Sequence, residues 1–168
     1  MNWTVEKTKR WLCSYGELIT DIDTLFERAD ILEMKARSPS SPHLDGMPHE
    51  KSGCNDRMAH LVAQYVTLRN EASAKLEKSR ILYKEIDRNI KMIKGPGWAH
   101  KKAVLQMRYL DVAKWYDVVD MLFGGKGDFL GKEDTYLRRV HKLHKTALEE
   151  LTEILNQNTE RKSQNDET

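Results

Sequence analysis

The chain has 168 residues and is almost charge-balanced, with 28 Lys and Arg against 26 Asp and Glu. Its mean hydropathy of −0.69 is typical of long, solvent-exposed helices rather than of a compact globule. It contains no run of about 18 apolar residues and no apolar segment near residue 1, so we expect neither a transmembrane helix nor a secretory signal. Its two cysteines, Cys13 and Cys54, are too few for a disulfide framework, and we therefore expect a cytoplasmic protein.

The first predicted element is an amphipathic helix over about residues 5–36. Apolar residues recur every seven positions at Val5, Leu12, Ile19 and Phe26, and a second series lies three or four positions away from them. This spacing is typical of a helix with a coiled-coil-like seam.

A loop over residues 38–55 separates this helix from a second one. The segment contains three prolines and two glycines, which interrupt helices. The second helix is predicted from Asp56, which can cap it, to Ile93, just before a Gly-Pro-Gly stop at residues 95–97. Because neither helix can bury its apolar stripe alone, we expect residues 1–94 to form a hairpin, to pair between subunits, or both.

From residue 95 onward the chain changes to shorter helices with denser large apolar residues. We predict helices over residues 98–110, 114–123 and 132–155, with a glycine-rich turn at residues 124–127. Residues 156–168 are polar and are predicted to be a flexible tail. The predicted fold is all-α, with a long N-terminal helical hairpin (1–94), a small helix-turn-helix bundle (95–155) and the tail.

The last predicted helix carries a concentrated positive charge. Residues 136–145 (YLRRVHKLHK) contain four Lys and Arg and no acidic residue, and His141 and His144 add charge when protonated. Val140 and Leu143 are expected to face the core, which leaves the cations on the outer face. Residues 98–145 as a whole hold ten Lys and Arg against six Asp and Glu.

Three short helices, of which the last is basic, predict a DNA-binding helix-turn-helix. The recognition helix of such a motif enters the major groove, where Arg donates two hydrogen bonds to guanine and Lys neutralises phosphate. Two features depart from the pattern: about ten residues (124–133) precede the last helix, and Asp117 and Asp120 make the preceding helix acidic. The candidate DNA-contacting residues are Thr135, Arg138, Arg139, His141, Lys142 and Lys145.

Three blocks of this region carry a family resemblance. Residues 103–111 (AVLQMRYLD), 115–124 (WYDVVDMLFG) and 136–151 (YLRRVHKLHKTALEEL) resemble the sigma-factor region-4-type helix-turn-helix. More closely, residues 12–155, with the loop sequence LDGMPH at 44–49, resemble small phage proteins of Gram-positive bacteria, the ArpU/RinA-type regulators of late phage transcription. The resemblance implies a phage- or prophage-encoded transcriptional regulator that binds double-stranded DNA. Its hairpin would dimerise, contact RNA polymerase, or both.

Two other function classes fit the same sequence. A protein-interaction module acting through the hairpin is consistent with a net charge of only +2, since many DNA-binding proteins are more basic. A small terminase-like DNA-packaging subunit also combines a helix-turn-helix with a helical oligomerisation element, and it would form a ring of many subunits.

No residue pattern predicts an enzyme, a cofactor or a metal site. His43, His49, Cys54 and His60 are ligand types, but their spacing matches no standard zinc site. Neither cysteine has a histidine placed to activate it, and the segment 124–127 lacks the P-loop pattern. The adjacent carboxylates at 149–150 are expected to be solvated on an exposed helix face.

Overall fold

A computed structural model describes residues 2–38 and 53–165, with the side chains of residues 53–56 and 162–165 excepted. In chain order the elements are α1 (Val5–Arg37), α2 (Gly53–Lys91), α3 (Trp98–Leu105), a π-helical turn (Gln106–Leu110), α4 (Trp115–Phe123) and α5 (Glu133–Asn165). The described residues contain no strand, which confirms the predicted all-α class. Most of the predicted loop, residues 39–52, lies outside the described residues.

The chain divides into two compact units, and the division differs from the predicted boundary at residue 95. A hairpin unit comprises residues 18–79, and a bundle unit comprises residues 1–17 and 80–168. The ends of α1 and α2 belong to the bundle because their apolar residues share its core. That core includes Leu12, Ile86, Ile90, Leu105, Leu148 and Leu151.

Within the hairpin unit, α1 and α2 run antiparallel. Lys75 Nζ donates to Asp21 Oδ2 at 2.7 Å, and Arg69 Nη2 donates to Asp30 Oδ1 at 3.0 Å. The later residue of α1 thus contacts the earlier residue of α2, as antiparallel helices require. Ion pairs at such exposed positions add little to stability and mainly fix the register. The buried hydrophobic residues in the described part of this unit are Ile22, Leu25, Ala29, Ala36 and Ala72.

Within the bundle unit, α3 and α4 both pack on α5. A second core cluster fills the space between these three helices and contains Val104, Val118, Val119, Phe123, Tyr136 and Val140. This cluster buries the apolar face of the basic segment of α5, so the charged face of the helix points outward.

Two helix ends differ from the prediction. Helix α2 begins at Gly53, so Asp56 lies in its first turn and is not its N-cap. Helix α5 continues to Asn165 instead of giving way to a tail at residue 156. The side chain of Asn156 exchanges two hydrogen bonds with the backbone of Trp3, and Asn158 donates to Asn89 at 3.0 Å. These long-range contacts stabilise the helical conformation of residues 156–165, a polar segment that has no apolar periodicity of its own.

Candidate nucleic-acid interface

All six predicted DNA-contacting residues are exposed on α5. Thr135, Arg138, Lys142 and Lys145 are spaced three or four positions apart, which places them on one face of the helix. Buried Val140 and Ala147 mark the opposite face. From residue 135 to residue 145 the helix rises about 15 Å, which is comparable with the width of about 12 Å of the DNA major groove.

The four cations on and beside this face form no ion pair in the part of the chain that the structure describes. In residues 2–38 and 53–165 as described, no salt bridge involves Arg138, Arg139, Lys142 or Lys145. Their charge is therefore available to phosphates, whose neutralisation releases condensed counterions.

Two acidic residues near the start of α5, Asp128 and Glu133, form local hydrogen bonds. Both carboxylate oxygens of Glu133 accept from the backbone N–H of Gly131 at 3.1 Å. Hydrogen bonding to its own backbone N–H, and then to that of Gly131, lowers the pKa of Glu133. Asp128 accepts from Tyr136 at 2.7 Å and from Lys132 at 3.1 Å, and these two hydrogen bonds lower its pKa. Part of the negative charge that precedes the basic face is thus hydrogen-bonded to neighbouring donors.

Arg139 lies at the flank of the basic face, over an aromatic pair. Its guanidinium carbon is 5.2 Å from the centroid of the Phe123 ring, and Phe123 stacks on Tyr136 with centroids 5.0 Å apart. The ammonium of Lys126 also lies 5.2 Å from the Phe123 ring. Lys126 is not among the residues predicted from the sequence, because the turn that brings it to this cluster has no periodicity.

Trp115, at the start of α4, connects α5 to a further cation. Its ring centroid lies 4.5 Å from that of His141, and the guanidinium carbon of Arg108 lies 5.0 Å from the Trp115 ring. Arg108 also donates to the carbonyl of Ala113 at 2.8 Å. Arg108 therefore adds positive charge beside His141, although it lies outside the basic segment that the sequence singled out.

His144 is half-buried, so the protonated form in which it would add charge to the basic segment is disfavoured. The pKa of His144 is lowered to about 4, mainly by burial and to a smaller extent by the nearby Lys9, His141 and Arg108. Its Nε2 shares a hydrogen bond of 2.9 Å with the hydroxyl of Tyr109, whose pKa burial raises to about 12. His144 thus belongs to the packing, and Lys9 and Arg108 contribute positive charge around it.

The outer face of α4 differs in character from that of α5. Asp117 and Asp120 are exposed there, beside Tyr116 at 69% and Met121 at 66% exposure. An acidic and apolar surface is a poor contact for DNA phosphates, so only α5 of these two helices offers a phosphate-binding face.

The carboxylate of Glu150 is only partly exposed to solvent, in contrast to the exposed face expected from the sequence. It accepts a hydrogen bond from Lys101, whose side chain is only 9% exposed, while the second oxygen of Glu150 is buried without a partner among the described residues. The pair connects α3 to α5 within the bundle unit.

Among the described residues, no three His, Cys, Asp or Glu side chains group as metal ligands. His43 and His49 lie outside these residues, as does the side chain of Cys54, whereas His60 is exposed on α2 and Cys13 is a half-buried free thiol. None of the helices in the described ranges is both long enough and apolar enough to cross a bilayer.

Comparison with known proteins adds no relative. No family model matches the chain, and no curated protein or solved structure is significantly similar to it.

Proposed function

We propose that this chain is a sequence-specific double-stranded DNA-binding protein that regulates transcription and reads DNA with helix α5. The observation that supports the proposal most strongly is the exposed, unpaired row of cations at Arg138, Lys142 and Lys145, held outward by the packing of Val140 and Ala147. The resemblance of these blocks to phage late-transcription regulators agrees with this function and suggests a phage or prophage origin.

In this proposal the residues of the α5 face have different tasks. Arg138 would read a guanine edge in the major groove, because a guanidinium donates two hydrogen bonds to O6 and N7. Lys142 and Lys145 would neutralise phosphates, and Arg139 would do so from the flank. Thr135 and His141 would add hydrogen bonds at the two sides of the row. Beyond DNA, we propose RNA polymerase and a second copy of the chain as partners.

The salt dependence of DNA binding tests this assignment. Three phosphates neutralised by Arg139, Lys142 and Lys145 predict a slope of about −2.7 in a plot of log K against log salt concentration. Affinity for a fixed-sequence duplex should then fall about 40-fold from these contacts alone between about 50 and about 200 mM salt, measured by fluorescence anisotropy. The triple variant Arg138→Ala/Arg139→Ala/Lys142→Ala should reduce this fall to about fourfold.

A control variant separates the face from the overall charge. Lys78→Ala/Lys84→Ala/Lys94→Ala removes the same three charges from exposed positions outside α5 and should keep a slope near that of the wild type. Equal losses in both triple variants would mean that only net charge matters. Absence of binding at low salt by the folded wild type would refute DNA binding and leave a protein-interaction module, for which the exposed apolar residues of the hairpin unit are the candidate surface.

A further inference from the structure

The glycine-rich turn between α4 and α5 contains glycines that the fold itself does not require. At Gly124 a Cβ atom would collide with Asp120, so packing accounts for that glycine. At Gly125 and Gly127 a Cβ atom would meet nothing within 4 Å, and neither residue has a positive φ. Glycine also serves where the backbone closely approaches a bound group. The two glycines leave the backbone on both sides of Lys126 open to a ligand from outside.

Lys126 is exposed in this turn, and aromatic rings of the bundle unit fix the position of its charge. Its ammonium lies 5.2 Å from the centroid of the Phe123 ring and 5.7 Å from that of Tyr136. In the part of the chain that the structure describes, Lys126 forms no ion pair. Its three N–H donors are therefore available to an anion, while the rings restrict where that anion can bind.

Arg108 is the counterpart of Lys126 at the other end of α4. Its guanidinium carbon lies 5.0 Å from the ring of Trp115, the first residue of α4, and one nitrogen donates to the carbonyl of Ala113 at 2.8 Å. It forms no ion pair with any residue in the described ranges. Because a guanidinium has five N–H donors, most of them remain for an anion. Each end of α4 thus holds one cation on an aromatic ring.

The two rings at the ends of α4 contact α5 on opposite sides of its exposed row of cations. The first, Trp115, lies 4.5 Å from the His141 ring, and the last, Phe123, lies 5.2 Å from the guanidinium carbon of Arg139. At about 100° per residue, His141 is about 60° to one side of Arg138, and Arg139 is about 100° to the other side. The two cations seated on these rings therefore flank the row from opposite sides.

The dimensions of this arrangement match those of a DNA major groove. Residues 115–123 rise about 12 Å along α4, and the groove is about 12 Å wide. The groove is about 8.5 Å deep, whereas a helix with its side chains is about 10 Å across. The sugar-phosphate backbones of both strands would therefore reach the flanks of α5 when this helix lies in the groove.

We propose that Lys126 and Arg108 bind phosphates of opposite DNA strands, one at each edge of the groove that α5 enters. The backbone of the glycine-rich turn approaches the strand that Lys126 contacts. Contacts to both strands fix the orientation of α5 across the groove, because phosphate contacts position a protein while base contacts specify the sequence. This inference rests on the proposed function and extends it to two cations outside α5 and to the glycine-rich turn.

The salt dependence of binding distinguishes this inference from the proposed function. The α5 cations alone give a slope of about −2.7, and two further phosphates bring the slope of the full chain to about −4.5. Lys126→Gln and Arg108→Gln should each reduce the magnitude of the slope by about 0.9, whereas Arg108→Lys keeps the charge and should keep the slope. The matched control is Lys94→Gln, which removes an exposed charge from the same bundle unit and should leave the slope unchanged.

A glycine variant tests the close approach of the turn without changing any charge. Gly125→Ala/Gly127→Ala adds two Cβ atoms in open space, so circular dichroism and urea unfolding should show a fold as stable as the wild type. The added atoms should keep the phosphate away from Lys126 and reduce the magnitude of the slope by about 0.9, as Lys126→Gln does. An unchanged slope in the folded glycine variant would contradict the approach of this turn to DNA.

Duplexes with one uncharged methylphosphonate assign each contact to a strand. The substitution that weakens binding of the wild type but not of Lys126→Gln should lie on one strand, and the corresponding position for Arg108→Gln should lie on the other. Both positions on the same strand would overturn the proposal. So would a wild-type slope near −2.7 that neither glutamine variant changes, although DNA binding by α5 would then stand. No binding by the folded wild type at low salt would overturn both.

Discussion

The ion pair between Lys101 of α3 and Glu150 of α5 provides a quantitative test of the bundle core. The Lys101 side chain is 9% exposed and the Glu150 side chain 31%, and their charged groups are in hydrogen-bond contact. Lys101→Met keeps the length and apolar stem of the side chain but leaves the carboxylate uncompensated. Removing one partner of a buried pair costs about 3–5 kcal/mol. Because water reaches part of Glu150, we expect a loss of about 2–3 kcal/mol.

The reciprocal and double variants complete a thermodynamic cycle. Glu150→Met strands the more deeply buried ammonium and should cost about 3–4 kcal/mol. The double variant Lys101→Met/Glu150→Met removes both charges and the unpartnered oxygen of Glu150, and should lie within about 1 kcal/mol of the wild type. The coupling free energy between the two positions should therefore exceed about 3 kcal/mol.

Tryptophan fluorescence during urea unfolding measures these effects in the right unit. All four tryptophans, at positions 3, 11, 98 and 115, belong to the bundle unit, so the signal reports its unfolding and not that of the hairpin unit. The shift of the midpoint at constant m-value gives the change in the free energy of unfolding. Additive losses in the double variant, or a Lys101→Met cost below about 0.5 kcal/mol, would refute the pairing.

Three further predictions concern the turn, the buried histidine and the DNA-reading arginine. Val112 has a φ of +53°, a strained conformation for a β-branched residue. Val112→Gly should therefore raise the free energy of unfolding, measured with urea, by about 1 kcal/mol. A lower free energy of unfolding in the variant would contradict this strain. The pKa of His144 is lower in the folded chain than in the unfolded chain, so below about pH 6.5 the unfolded chain binds a proton that the folded chain does not. The free energy of unfolding should therefore be highest above about pH 6.5 and fall by on the order of 2 kcal/mol toward pH 4. In His144→Gln, urea unfolding between these pH values should show a smaller fall, and an unchanged profile would refute the assignment. Arg138→Lys should leave the salt slope of DNA binding unchanged. It should weaken binding to a preferred sequence by about 1–3 kcal/mol, measured by competition anisotropy. Equal weakening on all sequences would assign Arg138 to phosphate contact.

The long-range contacts mark the limit of what the sequence predicts. The periodicity of the first segment predicts α1 to within one residue of its observed end, because an amphipathic stripe is a local signal. The continuation of α5 to Asn165 depends on Asn156 and Trp3, which are 153 positions apart, and no local pattern encodes such a contact. The same holds for the shared core of the bundle unit, which a change in composition at residue 95 does not reveal.

The candidate site was predictable in part for the same reason. Exposure of the cations on α5 follows from their spacing against Val140 and Ala147, and the six selected residues are all exposed. Arg108 and Lys126 approach the α5 side chains only through aromatic contacts made by folding, and the burial of His144 depends on Tyr109 from another element. These residues carry no distinguishing signal in the sequence.

Selection from a pool of random-sequence duplexes tests the central claim, sequence-specific reading of DNA by α5, most directly. The wild type should enrich one short motif, and the Arg138→Lys variant should lose preference for a guanine within it while retaining salt-sensitive binding. If the folded wild type retains no duplexes at low salt, or retains them without enriching any motif, the claim that α5 reads DNA sequence is contradicted.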